Sequence, residues 1–194
     1  MPAMILTSNK RKLWAWFAIV VVLAVTAIQL RNQGRSWWCS CGQFFLWAGD
    51  IWSAHNSQHL FDPYSFTHIL HGFVFCGLLA CVMPRLQPVW RLWLALSIEA
   101  LWEAIENSAF VIQRYRETTA ALGYQGDTIA NSLGDALSCG VGFMIARRLG
   151  LRRSLLFFAA TEALLLVFIR DSLMLNILML VYPIEAIKAW QISR

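Results

Sequence analysis

Charge is scarce in this sequence. Only 14% of its 194 residues are Asp, Glu, Lys or Arg, against 58% hydrophobic, and the mean hydropathy is +0.54. That balance excludes an ordinary soluble domain. No polar stretch is long enough for a nucleotide-binding fold, a separate soluble domain or a disordered linker, and internal repeats and low-complexity tracts are absent. The chain therefore reads as one transmembrane domain, 1–194. No Gly-x-Ser-x-Gly elbow singles out Ser53, Ser57 or Ser65 as a nucleophile. Cysteine is also sparse, at five residues: Cys76, Cys81 and Cys139 fall in apolar runs as small fillers, and only Cys39 and Cys41 lie in a polar segment. Their spacing would strain a disulfide, which leaves a metal or redox role, or simple packing beside Trp37 and Trp38.

The sequence is rich in apolar runs. A spanning helix needs about 20 mostly apolar residues, and candidates lie near 13–30, 68–84, 90–112, 128–147, 154–170 and 172–188. The expectation is an all-α polytopic membrane bundle of about six helices. The net charge of +5 then acts as a topology signal and does not point to nucleic acid. With the amino terminus inside, Lys10, Arg11, Lys12, Arg85, Arg91, Arg147, Arg148, Arg152, Arg153, Lys188 and Arg194 are cytoplasmic, whereas Arg31, Arg35, Arg114, Arg116 and Arg170 are outside. That bias places both termini in the cytoplasm and segments 31–67 and 113–127 on the outer face. Val25-Thr26-Ala27 resembles a signal-peptide cleavage site, but the long apolar run ending at Arg31 suits a retained anchor.

All four histidines, His55, His59, His68 and His71, fall within the polar outer segment and the start of the second run. Asp62-Pro63 favours a turn, and Ser65 or Thr67 can cap the next helix. His68 and His71 then share one face, and Gly72 allows close approach of a neighbour. A short interfacial helix over 53–60 would pair His55 with His59. Imidazoles at such spacings suit zinc or another divalent transition metal, while the plainer alternative is hydrogen bonding to carboxylates.

The third run carries Glu99, Glu103, Glu106 and Asn107 on one helical stripe. Carboxylates in a bilayer cost at least about 2.5 kcal/mol each, so they should face the bundle interior. Counted inward from residue 112, they lie roughly 9 Å (Glu106), 13 Å (Glu103) and 20 Å (Glu99) deep. The fourth run repeats the pattern with Asp127, Asn131 and Asp135. Its Ala130, Gly134, Ser138 and Gly142 form a small-residue ladder suited to helix packing. Between these runs, Arg114 and Arg116 could hold an anionic head group or pair with Glu106, Glu117 or interface lipid. Glu162 should be buried and partnered, and Asp171 should pair with Arg170.

Three blocks carry a family resemblance. They are the stretch from Ser53 through His55, Ser57-Gln58-His59-Leu60-Phe61-Asp62-Pro63-Tyr64-Ser65-Phe66-Thr67-His68 and His71-Gly72; Glu99, Trp102-Glu103 and Glu106-Asn107-Ser108 with 114–119; and Tyr124, Gly126-Asp127, Asn131-Ser132 and Asp135. With Cys39-Ser40-Cys41-Gly42, the chain resembles a family of uncharacterised multi-pass bacterial inner-membrane proteins, catalogued as a domain of unknown function. The resemblance implies an inner-membrane location and no defined chemistry.

The residues themselves favour a metal-dependent membrane hydrolase or transferase acting on a lipid or lipid-linked substrate at the periplasmic face. His59, His68, His71 and Asp127 are candidate ligands; Glu103, Glu106 and Asp135 are candidate bases or ligand-orienting groups; Arg114, Arg116, Asn107 and Asn131 are candidate substrate contacts. Two alternatives remain. One is a transporter relaying protons or cations along the acidic stripes, against which the apolar inner halves of the runs count. The other is an assembly or scaffold protein whose polar core specifies helix packing.

Overall fold

The computed structural model describes residues 2–119, 121 and 123–193, with the main chain alone for 2–9 and 11. Arg194 lies outside the described residues. Among the described residues seven helices follow in order: α1 (Pro2–Asn32), α2 (Ser65–Val82), α3 (Pro88–Glu106), α4 (Ala109–Thr118), α5 (Ile129–Ile169), α6 (Leu173–Val181) and α7 (Glu185–Ile192). Among the described residues there is no strand, only an isolated bridge between Trp47 and Phe61.

Two stretches, Lys12–Asn32 and Ser65–Val82, are long and apolar enough to cross a membrane, and α5 with α6, bent by 71° between them, adds a third if the pair counts as one broken span. Helix α3 falls short on composition because Arg91, Glu99, Glu103 and Glu106 share its 19 residues. Phe110, Val167 and Phe168 are 79%, 76% and 73% exposed, an apolar surface that suits lipid.

Helix α5 contains both the fourth and fifth expected runs, joined at Gly150. There φ is 72° and ψ 172°, a left-handed backbone that glycine adopts without a side-chain clash. Its second half returns along α2, where Phe157 stacks on Phe73 with ring centroids 4.9 Å apart. The first half packs on α2 through glycine. A side chain at Gly72 would strike the backbone of Cys139 and Phe143, and one at Gly142 the backbone of Ile69. The small-residue ladder is thus a packing face, with Gly134 against the Leu60 carbonyl. Ile19, Leu79, Leu92, Ala95, Leu96 and Phe143 bind α1, α2, α3 and α5 into one apolar core.

The last expected span, 172–188, does not form. Helices α6 and α7, of nine and eight residues, are too short to cross a bilayer. Pro183 lies between them and cannot continue a helix ladder. The Glu162 carboxylate accepts the amides of Leu173 at 2.9 Å and Met174 at 3.2 Å, so it starts α6 as a side-chain cap. Lys188 Nζ donates to the Glu117 carbonyl, and Arg170 Nη1 to that of Trp190 at 2.9 Å. Lys188 therefore sits at the end of the bundle that holds Glu117 and Arg170, not at the opposite one. Asp171 takes its bonds from Tyr64 Oη, Ser172 and Asn176, and not from Arg170.

Segment 33–64 covers the end of the bundle where α5 begins. The carbonyls of Ser36 and Trp37 accept the amides of Ile129 at 2.9 Å and Ala130 at 3.0 Å, and Thr128 Oγ1 accepts that of Asn131. Three of the orphan donors at the α5 start are thereby satisfied, with Thr128, not Asp127, as the cap. Residues 53–60 form successive turns and no helix, with Ser57 at φ 59°.

Candidate functional site

Helices α2, α3 and α5 bring their polar stripes together at the end covered by segment 33–64. His68 is held by Glu99, Nδ1 to Oε1 at 2.5 Å, and His71 Nδ1 lies 3.0 Å from Glu99 Oε2. One fully buried carboxylate thus holds the same nitrogen of two imidazoles one helical turn apart. Both Nε2 atoms stay free of it. A carboxylate bonded to Nδ1 orients an imidazole and raises its basicity as a ligand. Glu99 had appeared in the acidic stripe without a role of its own. Its function becomes visible only when α2 and α3 are set side by side.

Around His68 lie two more acids. Glu103 Oε1 is 3.5 Å from Nδ1, and Asp135 Oδ2 is 3.8 Å from Nε2. Ser65 Oγ donates to Asp135 Oδ1 at 2.8 Å and accepts the Asp62 amide at 3.1 Å, while Thr67 Oγ1 donates back to the Tyr64 carbonyl. Neither hydroxyl caps α2; Ser65 instead ties the turn before α2 to α5.

Helix α3 ends at Glu106, and the chain restarts as α4 with Ser108 Oγ accepting the Val111 amide. Glu106 is therefore the last residue of its helix and not 9 Å within one. The break places Asn107 as a clamp. Its Nδ2 donates to Asp127 Oδ2 at 3.0 Å and to the Glu103 carbonyl at 3.1 Å, and its Oδ1 accepts the Asp127 amide at 2.7 Å. Tyr124 Oη donates to Asp127 Oδ1 at 2.9 Å. Burial pushes the Asp127 carboxyl above the usual range, against these bonds, which favour the charged form. Asn131 Nδ2 reaches Asp62 Oδ2 at 3.4 Å. Asp62 also accepts the amides of Ser57 at 2.9 Å and Tyr64 at 2.7 Å, yet its burial likewise pushes it up. Asn107 and Asn131, expected to contact substrate, spend their amides on protein partners.

A cavity of about 400 Å³ opens beside this cluster. His68, His71, Glu106, Asp127 and Asp135 supply its polar wall, with Tyr64, Tyr115, Tyr124 and Asp171. Val74, Phe75, Ile98, Trp102, Met174 and Ile177 supply an apolar one. The tyrosines lie in the blocks that carry the family resemblance, which gives them no role, and the 171–177 stretch carries no motif. Asp171 follows Arg170, whose left-handed φ of 53° ends α5 and turns the chain back to the site.

Three overlapping donor groups could each hold a metal ion: His68, His71 and Glu99; His68, Glu103 and Asp135; Glu103, Glu106 and Asp127. Within each group the donor atoms lie within 4.8 Å of one another. The side chain of Glu103 is fully buried, and neither of its oxygens has a hydrogen-bond partner among the described residues; Glu106 Oε2 is also unpartnered. Unsatisfied buried carboxylate oxygens are costly, and a cation is one way to satisfy them. The chemistry of the donors therefore fits a divalent metal.

Three of the expected site residues stand elsewhere. His59 faces His55, with Cys39 and Cys41, and is absent from the groups around His68. Arg114 Nε donates to the Leu180 carbonyl at 2.9 Å and Arg116 Nε to the Tyr124 carbonyl at 2.5 Å. Neither arginine lines the cavity. Arg114 sits where α6 ends, a favourable place for a cation because the last carbonyls of a helix lack partners.

Comparison with known proteins gives a consistent result. The chain is 40% identical to a UPF0314 protein of Paracoccus denitrificans over 190 residues, covering 98% of this chain and 97% of the relative. It is 42% identical to a UPF0314 protein of Brucella anthropi over 180 residues, 92% and 91% of the two chains. A UPF0314 protein of Sphingopyxis alaskensis is 44% identical over 177 residues, 91% and 94%. No solved structure matches the chain. Residues 30–193 match the family model described as protein of unknown function (DUF2585), and with these near-full-length relatives the chain belongs to that family.

Proposed function

We propose that this chain is a metal-dependent hydrolase or related transferase of the bacterial inner membrane, acting on a lipid or lipid-linked substrate from the periplasmic face. The observation that carries the reading is Glu103, fully buried with neither oxygen hydrogen-bonded among the described residues, between His68, Asp135 and Glu106. Glu99 supports it by fixing both imidazoles through Nδ1.

In this reading His68, Glu103 and Asp135 would hold the ion, Glu99 orients His68 and His71, and Asp127 with Glu106 forms the adjoining acidic pair. A divalent ion there would lower the pKa of bound water and polarise an ester or phosphoryl oxygen. Glu106, lining the cavity, is placed to accept a proton. The apolar wall from Val74 to Ile98 and Trp102 suits an acyl chain entering from the bilayer. Arg114 and Arg116 hold α6 and the 124 turn through the Leu180 and Tyr124 carbonyls.

The test uses detergent-purified protein reconstituted with zinc into vesicles of mixed anionic and zwitterionic phospholipids, scoring release of water-soluble head group. Turnover lost in Glu103→Gln and His68→Ala, with the helical circular dichroism kept, supports the reading. Turnover unchanged in both, or none in wild type across lipid classes, overturns it.

The scaffold alternative draws on one observation, that Asn107, Asn131, Arg114 and Arg116 are all bonded within the protein. It expects no metal at His68.

A further inference from the structure

We infer that segment 33–64 carries a second metal centre, a structural zinc site formed by Cys39, Cys41, His55 and His59. It lies outside the cluster of the proposed active site and stands or falls without it.

The four donor atoms lie within 4.8 Å of one another. With Zn–S near 2.3 Å and Zn–N near 2.0 Å, ligand atoms at the corners of a tetrahedron are about 3.3–3.8 Å apart. Two separations in the structure are close to that range without any ion: Cys39 Sγ to His55 Nδ1 is 3.7 Å, and His55 Nδ1 to His59 Nε2 is 3.1 Å.

A second observation concerns the sulfurs. The Cys41 amide donates to Cys39 Sγ at 3.3 Å and the Gln43 amide to Cys41 Sγ at 3.4 Å. Two backbone donors on two sulfurs favour thiolates, the form that binds metal. Gly42, at φ +73°, makes the turn that returns the chain for the second of these bonds. Two soft sulfurs with two imidazoles select zinc over magnesium or calcium, and four protein ligands leave no open position, the mark of a structural site.

The proton balance is definite. Binding releases the thiol protons of Cys39 and Cys41. The His59 ring, whose Nδ1 accepts the Phe45 amide at 3.2 Å, must move its proton from Nε2 to Nδ1 to ligate through Nε2. That breaks the bond from Phe45, so the Phe45 amide reports binding. The ion would join residues 39–41 to residues 55–59, just before Leu60, whose carbonyl meets Gly134 of α5. It would thereby fix the cover over the α5 start.

The experiment titrates cobalt(II), as a coloured stand-in for zinc, into reduced, chelator-treated full-length protein in detergent. Expected are thiolate-to-cobalt charge-transfer absorption and the intense d–d bands of tetrahedral coordination, displaced by zinc. The absorption should be lost in Cys39→Ser, Cys41→Ser and His59→Gln, and kept in His68→Ala. In wild type, zinc should slow alkylation of the exposed Cys41, which keeps the proposal testable if a variant fails to fold. Absence of charge transfer in folded wild type, its persistence in the Cys39→Ser/Cys41→Ser double variant, or unchanged alkylation with zinc would overturn the site. So would quantitative recovery of a Cys39–Cys41 disulfide from protein folded with zinc.

Discussion

Two histidine pairs, four and three residues apart in sequence, stand in opposite chemical surroundings. His55 and His59 sit in a turn-rich segment beside two thiols, bonded to each other and to the Phe45 amide. His68 and His71 sit on a helix among buried carboxylates, both anchored on Glu99. The first pair has the ligands of a closed structural centre. The second has carboxylates with unpartnered oxygens and a cavity alongside, as a reactive centre needs. Sequence proximity therefore does not imply a shared site: only eleven residues, the Asp62-Pro63 turn among them, lie between His59 and His71.

The two pairs part most clearly when the anchor of one is removed. Glu99→Ala strips both His68 and His71 of their buried partner and should cost about 3–5 kcal/mol, read as a shift in the denaturant midpoint of detergent-solubilised protein. No comparable loss is expected from His55→Gln in metal-free protein, because that residue is only half-buried. If the two variants lose equally, the distinction between the pairs collapses.

Packing beneath the helical pair gives the next effect. Gly72→Val puts a side chain into the backbone of Cys139 and Phe143, and overpacking of this kind costs about 1–3 kcal/mol. The same change at Gly77, which has open space around it, should be nearly neutral by thermal unfolding.

The acids separate the two regions by pH. The folded Asp127 carboxyl is raised above its ordinary value near 3.8, so the native state holds more protons than the unfolded chain between those two values. Its contribution to stability is full below the unfolded pKa and is lost as pH rises through the folded one. Metal-free wild type should accordingly melt at lower temperature as pH rises out of the acid range, and Asp127→Asn should flatten that slope. A slope unchanged in the variant would remove Asp127 from the account.

The smallest effect is expected at Arg114. Arg114→Ala should cost about 0.3–1 kcal/mol by loosening the end of α6, with no change in metal content. A loss of metal instead would return this arginine to the site.

Much of the helical cluster was legible because its signal is periodic. Glu103 and Glu106 on one stripe, and Asp127 and Asp135 on another, do meet at one end of the bundle, whereas Asn131 turns to Asp62. Gly72 and the Gly134 and Gly142 ladder do mark close packing. The division of the histidines was not legible, because it depends on turns and on the left-handed Ser57, which hydropathy does not encode. The 172–188 run is apolar enough to suggest a span, but Pro183 within it divides the run into two short helices. The arginines turned to main-chain carbonyls whose positions depend on tertiary packing, and no charge pattern announces that.

In the proposed site, His68, held by Glu99, binds an ion of its own with Glu103 and Asp135. The direct measurement is the zinc stoichiometry of folded protein from which the loop thiols have been removed, Cys39→Ser/Cys41→Ser. One ion per chain, lost when His68→Ala is added, is the predicted result; a folded double variant that binds no zinc and whose melting temperature does not respond to it would contradict the account.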